Sequence, residues 1–256
     1  MSAPFSARRE VALGLGAYAV YLVCRRVVVN DRGRRTALRN ARRVVALERR
    51  LGLHFEPRLQ RAVLPRTRGL AIANLGYVTL NVAITVGWLM LLYARKDQAF
   101  HRLRRAWVLA TVGPQPAFLL FPTAPPRALE GFTDTIRESG IDLDTGLVVR
   151  LYNPIAAMPS IHMAYAVIIS SAIAQTARTP LLRRAALAYP PAVALIVVAT
   201  ANHFVLDVLA GTLVGRACLL LARGRRMPPP GEAACCAGFG SMAGGFGSTV
   251  SRRVDG

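Results

Sequence analysis

Three short polar clusters interrupt otherwise apolar stretches of this chain, and they hold side chains suited to nucleophilic and acid–base chemistry beside an anion. Asn202-His203-Phe204-Val205-Leu206-Asp207 sets a histidine and a carboxylate four residues apart. On a helix that spacing is one turn along the same face. A carboxylate accepting from one imidazole nitrogen fixes the tautomer and leaves the other nitrogen as nucleophile or base. Met158-Pro159-Ser160-Ile161-His162 adds a second histidine, suited to be the complementary acid. Its Pro-Ser pair makes a sound N-cap, so the Ser160 hydroxyl and nearby backbone N–H groups would help hold an anion. Pro122-Thr123-Ala124-Pro125-Pro126-Arg127 ends in an arginine that could hold the same anion. Asp207 is the sharpest signal: a carboxylate one turn inside an apolar helix costs roughly 2.5–3.5 kcal/mol on membrane insertion unless partnered.

Each residue also has a plainer reading. A lone histidine at a helix end is more often structural, and His54 and His101 are read that way. Arg127 alone could be an interfacial anchor, and Ser160 alone only a cap. The i, i+4 spacing of His203 and Asp207 would also suit a metal. Only His162 offers an obvious third ligand, however, and an arginine beside a dication would be repelled. No metal and no other cofactor is expected.

These residues need a scaffold, and the composition says which kind. Of 256 residues 53% are hydrophobic and the mean hydropathy is +0.36, yet 33 basic residues face 13 acidic ones for a net charge of +20. The two properties are segregated, with long uncharged runs between arginine-dense stretches, as in a polytopic membrane protein. That pattern excludes a disordered chain and argues against a DNA- or RNA-binding domain, so no nucleic-acid partner is expected. Only Lys96 among the basic residues is lysine, a bias that points to a GC-rich genome and makes part of the basicity codon usage. The four cysteines form no C-x-x-C and no spaced framework, so neither disulfides nor zinc fingers are indicated.

The expected fold is all-α, a six-helix transmembrane bundle. Residues 1–29 read as an uncleaved first span, since no small-x-small cleavage site follows Cys24. Residues 30–69 read either as short amphipathic helices lying on the membrane surface or as a solvated connecting loop. Residues 70–222 form the catalytic membrane domain, with spans near 70–94, 106–122, 158–175, 185–201 and 204–221. Arg95 to Arg105 reads as a basic hairpin loop, and Pro114 and Pro116 as a kink in the third span. Residues 123–153 read as an acidic loop outside the membrane, and 223–256 as a disordered tail. If spans alternate in direction, Arg127, Ser160, His162, Asn202, His203 and Asp207 reach one membrane face. Arginines in the opposite loops favour the outside for that face, although those of 30–69 point the other way.

Taken together, P-S-I-H and H-F-V-L-D resemble the P-S-x-H and H-x3-D signatures of the type 2 phosphatidic acid phosphatase superfamily. A-P-P-R, A-A-M-P-S-I-H and N-H-F-V-L-D-V-L-A-G are most similar to its branch of inositol phosphorylceramide synthases and their bacterial relatives. The resemblance covers about residues 70–222. It implies metal-independent phosphoryl transfer at a bacterial cell membrane, acting on a lipid-linked phosphate among membrane lipids. His203 would attack phosphorus, Asp207 would orient it, and His162 would protonate the leaving oxygen and then activate water or an alcohol such as inositol. Arg127, Ser160 and Asn202 would bind the phosphate. The superfamily pattern also expects a lysine where Leu120 stands, a proline at Ala128, and a Ser-Arg pair at Ile196 and Val197. Asn202, Tyr152 or another arginine would have to compensate for the absent cations. The alternative from another class is a non-catalytic membrane module, a transporter or anionic-lipid-binding scaffold. Oligomeric state is not legible.

Overall fold

Where the apolar runs end, and what ends them, sets the helices. The computed structural model describes residues 5–65, 69, 72, 74, 81–138 and 153–223. Its helices are α1 (Ala7–Val28), α2 (Asp31–Leu51), α3 (Glu56–Val63), α4 (Asn81–Ala94), α5 (Ala99–Val112) and α6 (Gln115–Leu120), followed by a 3-10 turn at Pro126–Ala128. Then come α7 (Thr135–Glu138), α8 (Ile161–Thr176), α9 (Pro180–Ala199) and α10 (Val205–Leu221). Among the described residues the only β-pairing is an isolated bridge between Thr123 and Ala156, so the fold is all-α. The disordered tail, most of the expected span at 70–80, and 139–152 of the acidic loop lie outside the described residues.

Side-chain caps start several of these helices. The Asn30 side chain accepts from Gly33 N at the start of α2, Ser160 from Met163 N at α8, and Thr179 from Leu182 N at α9. Gly52 closes α2 in the left-handed region at φ 69°, which favours glycine. Pro114 lacks an N–H, and the expected third span divides there into α5 and α6. The stretch 99–105, read from its charge as loop, is instead the first half of α5. Its Phe100, His101, Leu103 and Arg104 are buried. The reason is a partner the local sequence does not contain: Glu10 of α1 pairs with Arg104 at 2.5 Å, and Phe5 packs on Tyr93, Phe100 and His101.

Two helices are long and apolar enough to cross a membrane, α1 with 22 residues and α9 with 20. Helices α4 and α8 are apolar but only 14 and 16 residues long. The span expected from residue 158 starts as helix only at Ile161, because the Ser160 cap ends the preceding turn. Helix α1 buries only Ala17 and Val28, leaving Leu15 and Val23 65% and 63% exposed.

Helix α8 is the hub, packing against α4, α5, α9 and α10. Its Ala164, Ile168, Ile169 and Ile173 enter one core cluster with Leu103, Ala106 and Cys218. Helix α10 can approach α8 closely because Gly211 and Gly215, four residues apart, face its backbone. A Cβ at Gly211 would stand 2.2 Å from Ser160 O, and one at Gly215 2.8 Å from Ala164 O. Small residues at this spacing let helix backbones touch. Gly211→Ala is therefore expected to force α10 off α8 and lower stability by about 1–3 kcal/mol. Gly14→Ala, with nothing within 4 Å, should leave stability unchanged or slightly raised. Thermal unfolding of the two variants beside the wild type checks both.

Candidate active site

At one end of the bundle three chain segments meet through backbone hydrogen bonds. Thr123 N donates to Ile155 O at 2.9 Å and Ala157 N to Thr123 O at 3.0 Å. Arg127 N donates to Ala201 O at 2.9 Å, and Ser160 N to Asp207 O at 3.1 Å. The three polar clusters of the sequence thus form one platform. Helix α2 is bound to it as well, since Asn40 Nδ2 donates to Pro122 O at 2.9 Å and Ala124 N to Ala37 O at 3.2 Å. Gln60 of α3 exchanges two hydrogen bonds with Thr133, at 2.8 and 3.1 Å.

His203 occupies the turn between α9 and α10, and His162 lies in the first turn of α8. Their ring centroids are 5.8 Å apart. His203 Nδ1 lies 3.0 Å from Ala157 O. A carbonyl can only accept, so Nδ1 carries the proton and Nε2 carries the lone pair. Asp207, fully buried, places Oδ2 3.4 Å from the same Nδ1 and 2.9 Å from Phe204 N. Its stronger bond is the helix cap, and the backbone carbonyl of Ala157 holds the ring. The sequence assigned that task to the carboxylate alone. Burial lowers the His203 pKa to about 3, the Ala157 hydrogen bond opposing and the Arg127 charge adding to the fall.

Arg127 and Asn202 are brought together: Arg127 Nη1 donates to Asn202 Oδ1, and Arg127 Nε lies 3.5 Å from Asp134 Oδ2. Asn202 Nδ2 in turn donates to Thr200 Oγ1 at 2.7 Å. Ser160 is wholly buried, and its hydroxyl oxygen accepts from Met163 N at 3.2 Å. A cavity of about 260 Å³ opens beside the histidines. Its described lining includes His162, His203 and Asn202, together with Tyr18 and Tyr21 of α1, but neither Arg127 nor Ser160. The two tyrosines had no signal in the sequence, since they read there as part of an apolar span.

Two further groups lie beyond the sequence motifs. Glu48 Oε1 accepts from Leu206 N at 2.8 Å and Glu56 Oε1 from Val205 N at 3.1 Å. Both glutamates are fully buried. With Asp207 on Phe204 N, three carboxylates meet the first N–H groups of α10, where the helix dipole favours negative charge. The one available signal was that Glu48 and Glu56 are the only acids from Arg32 to Gly69, a stretch holding twelve arginines. Burial, with Glu56 and Asp207 nearby, pushes the Glu48 carboxyl up to about 9.

Compared with known proteins, residues 42–221 match the family model described as the PAP2 superfamily. Among solved structures, the chain is similar to the crystal structure of LpxE from Aquifex aeolicus, with a TM-score of 0.50 and 19% identity over 66% of this chain and 93% of that one. At that identity the likeness is one of fold. No curated protein matches.

The buried His203 ring has a consequence for stability. An imidazole titrating at 6.5 when unfolded and about 3 when folded binds fewer protons in the folded state between those values. Its contribution is full above pH 6.5 and is lost as pH falls toward 3. His203→Gln should therefore lose less thermal stability than wild type on acidification from about pH 8 to about pH 4. Melting curves across that range decide it.

Proposed function

This chain belongs to the PAP2 superfamily and is a phosphatase of the type 2 phosphatidic acid phosphatase kind, and we propose that it cleaves or transfers a lipid-linked phosphate through a phosphohistidine. The observation that carries the proposal is the pairing of buried His203 with half-buried His162 across one cavity, with Ala157 O fixing the tautomer of His203. His203 Nε2 attacks phosphorus while the bond to the leaving oxygen breaks. His162 gives that oxygen its proton, the negative charge of the bound phosphate favouring the imidazolium. In the second half His162 takes a proton from water or an alcohol, which attacks phosphorus and releases His203. Asp207 supports the imidazolium character that develops on His203. Arg127, Asn202 and the first turn of α8 behind Ser160 supply positive potential toward the phosphate.

The missing cations bear on the substrate. Leu120, at the expected lysine position, is 84% exposed, while Val197 is buried and its carbonyl accepts from Asn202 N and His203 N. Neither position can deliver a charge to the site. A phosphodiester carries one negative charge against about two on a phosphomonoester and needs fewer cations, which fits the branch containing inositol phosphorylceramide synthases. Of the groups that could compensate, Asn202 lines the cavity, and Tyr152 lies outside the described residues. The exposed apolar faces of α1 and α10, such as Leu15, Val23 and Leu213, support a bundle set in a bilayer. Six spans with the site on the outer face of a bacterial membrane remain part of this proposal. Among the described residues no observation favours the non-catalytic alternative.

Incubation of the purified protein with a panel of lipid phosphates and lipid phosphodiesters, with and without inositol, tests this directly. Release of inorganic phosphate from a monoester, or of a phosphomonoester from a diester, identifies a hydrolase, and a new phospholipid identifies a transferase. His203→Ala should abolish turnover and His162→Ala lower it by about 10²–10⁴-fold. Full activity in the His203→Ala protein would refute the proposal.

A further inference from the structure

Beside the first turn of α10, among residues that do not line the cavity, three donor atoms converge. Glu48 Oε2, Glu56 Oε2 and His54 Nδ1 are buried and make no hydrogen bond to any described group outside the cluster. All three lie within 4.8 Å of one another. Glu48 and Glu56 each use their other oxygen on a backbone N–H of α10, so the helix sets their orientation. His54 Nδ1 stands 3.1 Å from Glu56 Oε2, yet the two are not aligned as donor and acceptor. Two atoms that close, neither bonded to the other, point at a common third position. Ligands about 2.1 Å from one ion and about 90–110° apart are themselves about 3.0–3.4 Å apart.

Charge points the same way. Two buried carboxyl groups face the end of a helix that offers only about half a positive charge, which cannot balance both of them ionised. Among the described residues no arginine or lysine forms an ion pair with either glutamate, although the segment around them is rich in arginine. A buried pair of this kind needs a proton or a cation between its oxygens.

We propose that Glu48, Glu56 and His54 bind one divalent cation, which fastens α2 and α3 to the start of α10. Two carboxylate oxygens and one imidazole nitrogen suit a transition-series ion such as Zn²⁺ or Mn²⁺. The ion takes no part at phosphorus. Glu48 and Glu56 extend from it to Leu206 N and Val205 N, and His203 sits immediately before them. The cation therefore acts as a structural clamp on the helix that carries the site. The proposal rests on the cluster alone and not on the phosphatase reading, because its test reads metal content and stability.

The full-length chain, purified without chelator, should hold about one equivalent of a transition-series ion by plasma mass spectrometry. Stripping with EDTA should lower the thermal midpoint, and added Zn²⁺ or Mn²⁺ should restore it by on the order of 5 °C. His54→Ala removes a partly exposed ligand with little risk to folding, and should weaken that rescue about tenfold or more. Metal-free wild-type protein whose midpoint does not respond to either ion would overturn the proposal and leave a shared proton as the occupant. So would an undiminished response in His54→Ala together with Glu48→Gln.

Discussion

An α-helix begins with N–H groups that its own backbone cannot satisfy, and burial of that end at α10 governs how the surrounding segments fold. Phe204 N, Val205 N and Leu206 N are met by Asp207, Glu56 and Glu48 in turn. Three carboxylates from three segments converge on one helical turn, drawn by backbone dipoles that water cannot reach. Asp207 holds its position from within the helix, while Glu48 and Glu56 bring α2 and α3 with them. The arginine-rich stretch that joins the first helix to the bundle is thereby fixed to the element bearing His203. Helix α2 is held there by its apolar face as well, Ala37, Ala41 and Val44 packing with Ala124, Ile155 and Phe204, and by the bond from Asn40 to Pro122 O.

The same end organises the chemistry. Ser160 N donates to Asp207 O, so the start of α8 is measured from the start of α10. Gly211 and Gly215 let the two helices approach until that bond can form. The helix ends, more than any side-chain pair, then set where His162 and His203 stand. Backbone does the holding: Ala157 O takes His203 Nδ1, and Ala201 O takes the amide of Arg127. A site held by main-chain bonds between helix ends is a rigid surface, as the proposed phosphate chemistry requires.

The candidate site residues stood out in the sequence because each broke a local rule. Asp207 is a charge in an apolar helix, His203 lies one turn before it, and Ser160-Ile161-His162 opens another helix with a cap. Glu48 and Glu56 broke no such rule. They looked like ordinary charges in a charged amphipathic segment, and their partners are backbone groups 158 and 149 residues away. Helix α5 was hidden for a related reason, since residues 99–105 fold as helix by pairing Arg104 with Glu10 across the chain. The limits of the spans shifted because hydropathy windows do not see caps. Tyr18 and Tyr21 had no signal, as a tyrosine in a span reads alike whether it faces lipid or a cavity.

Everything proposed for the reaction depends on a bond between His203 and phosphorus, and that bond can be sought directly. A lipid phosphate labelled at its phosphorus is mixed with the protein, the reaction is quenched in alkali, and the label on the protein is assigned by peptide mass spectrometry. With His203 as the nucleophile, wild-type protein carries the label on His203 in a form stable to base and labile to acid. His162→Ala accumulates little or none, and His203→Ala none. Label on any other residue, or rapid turnover with no labelled protein at any time, would contradict it.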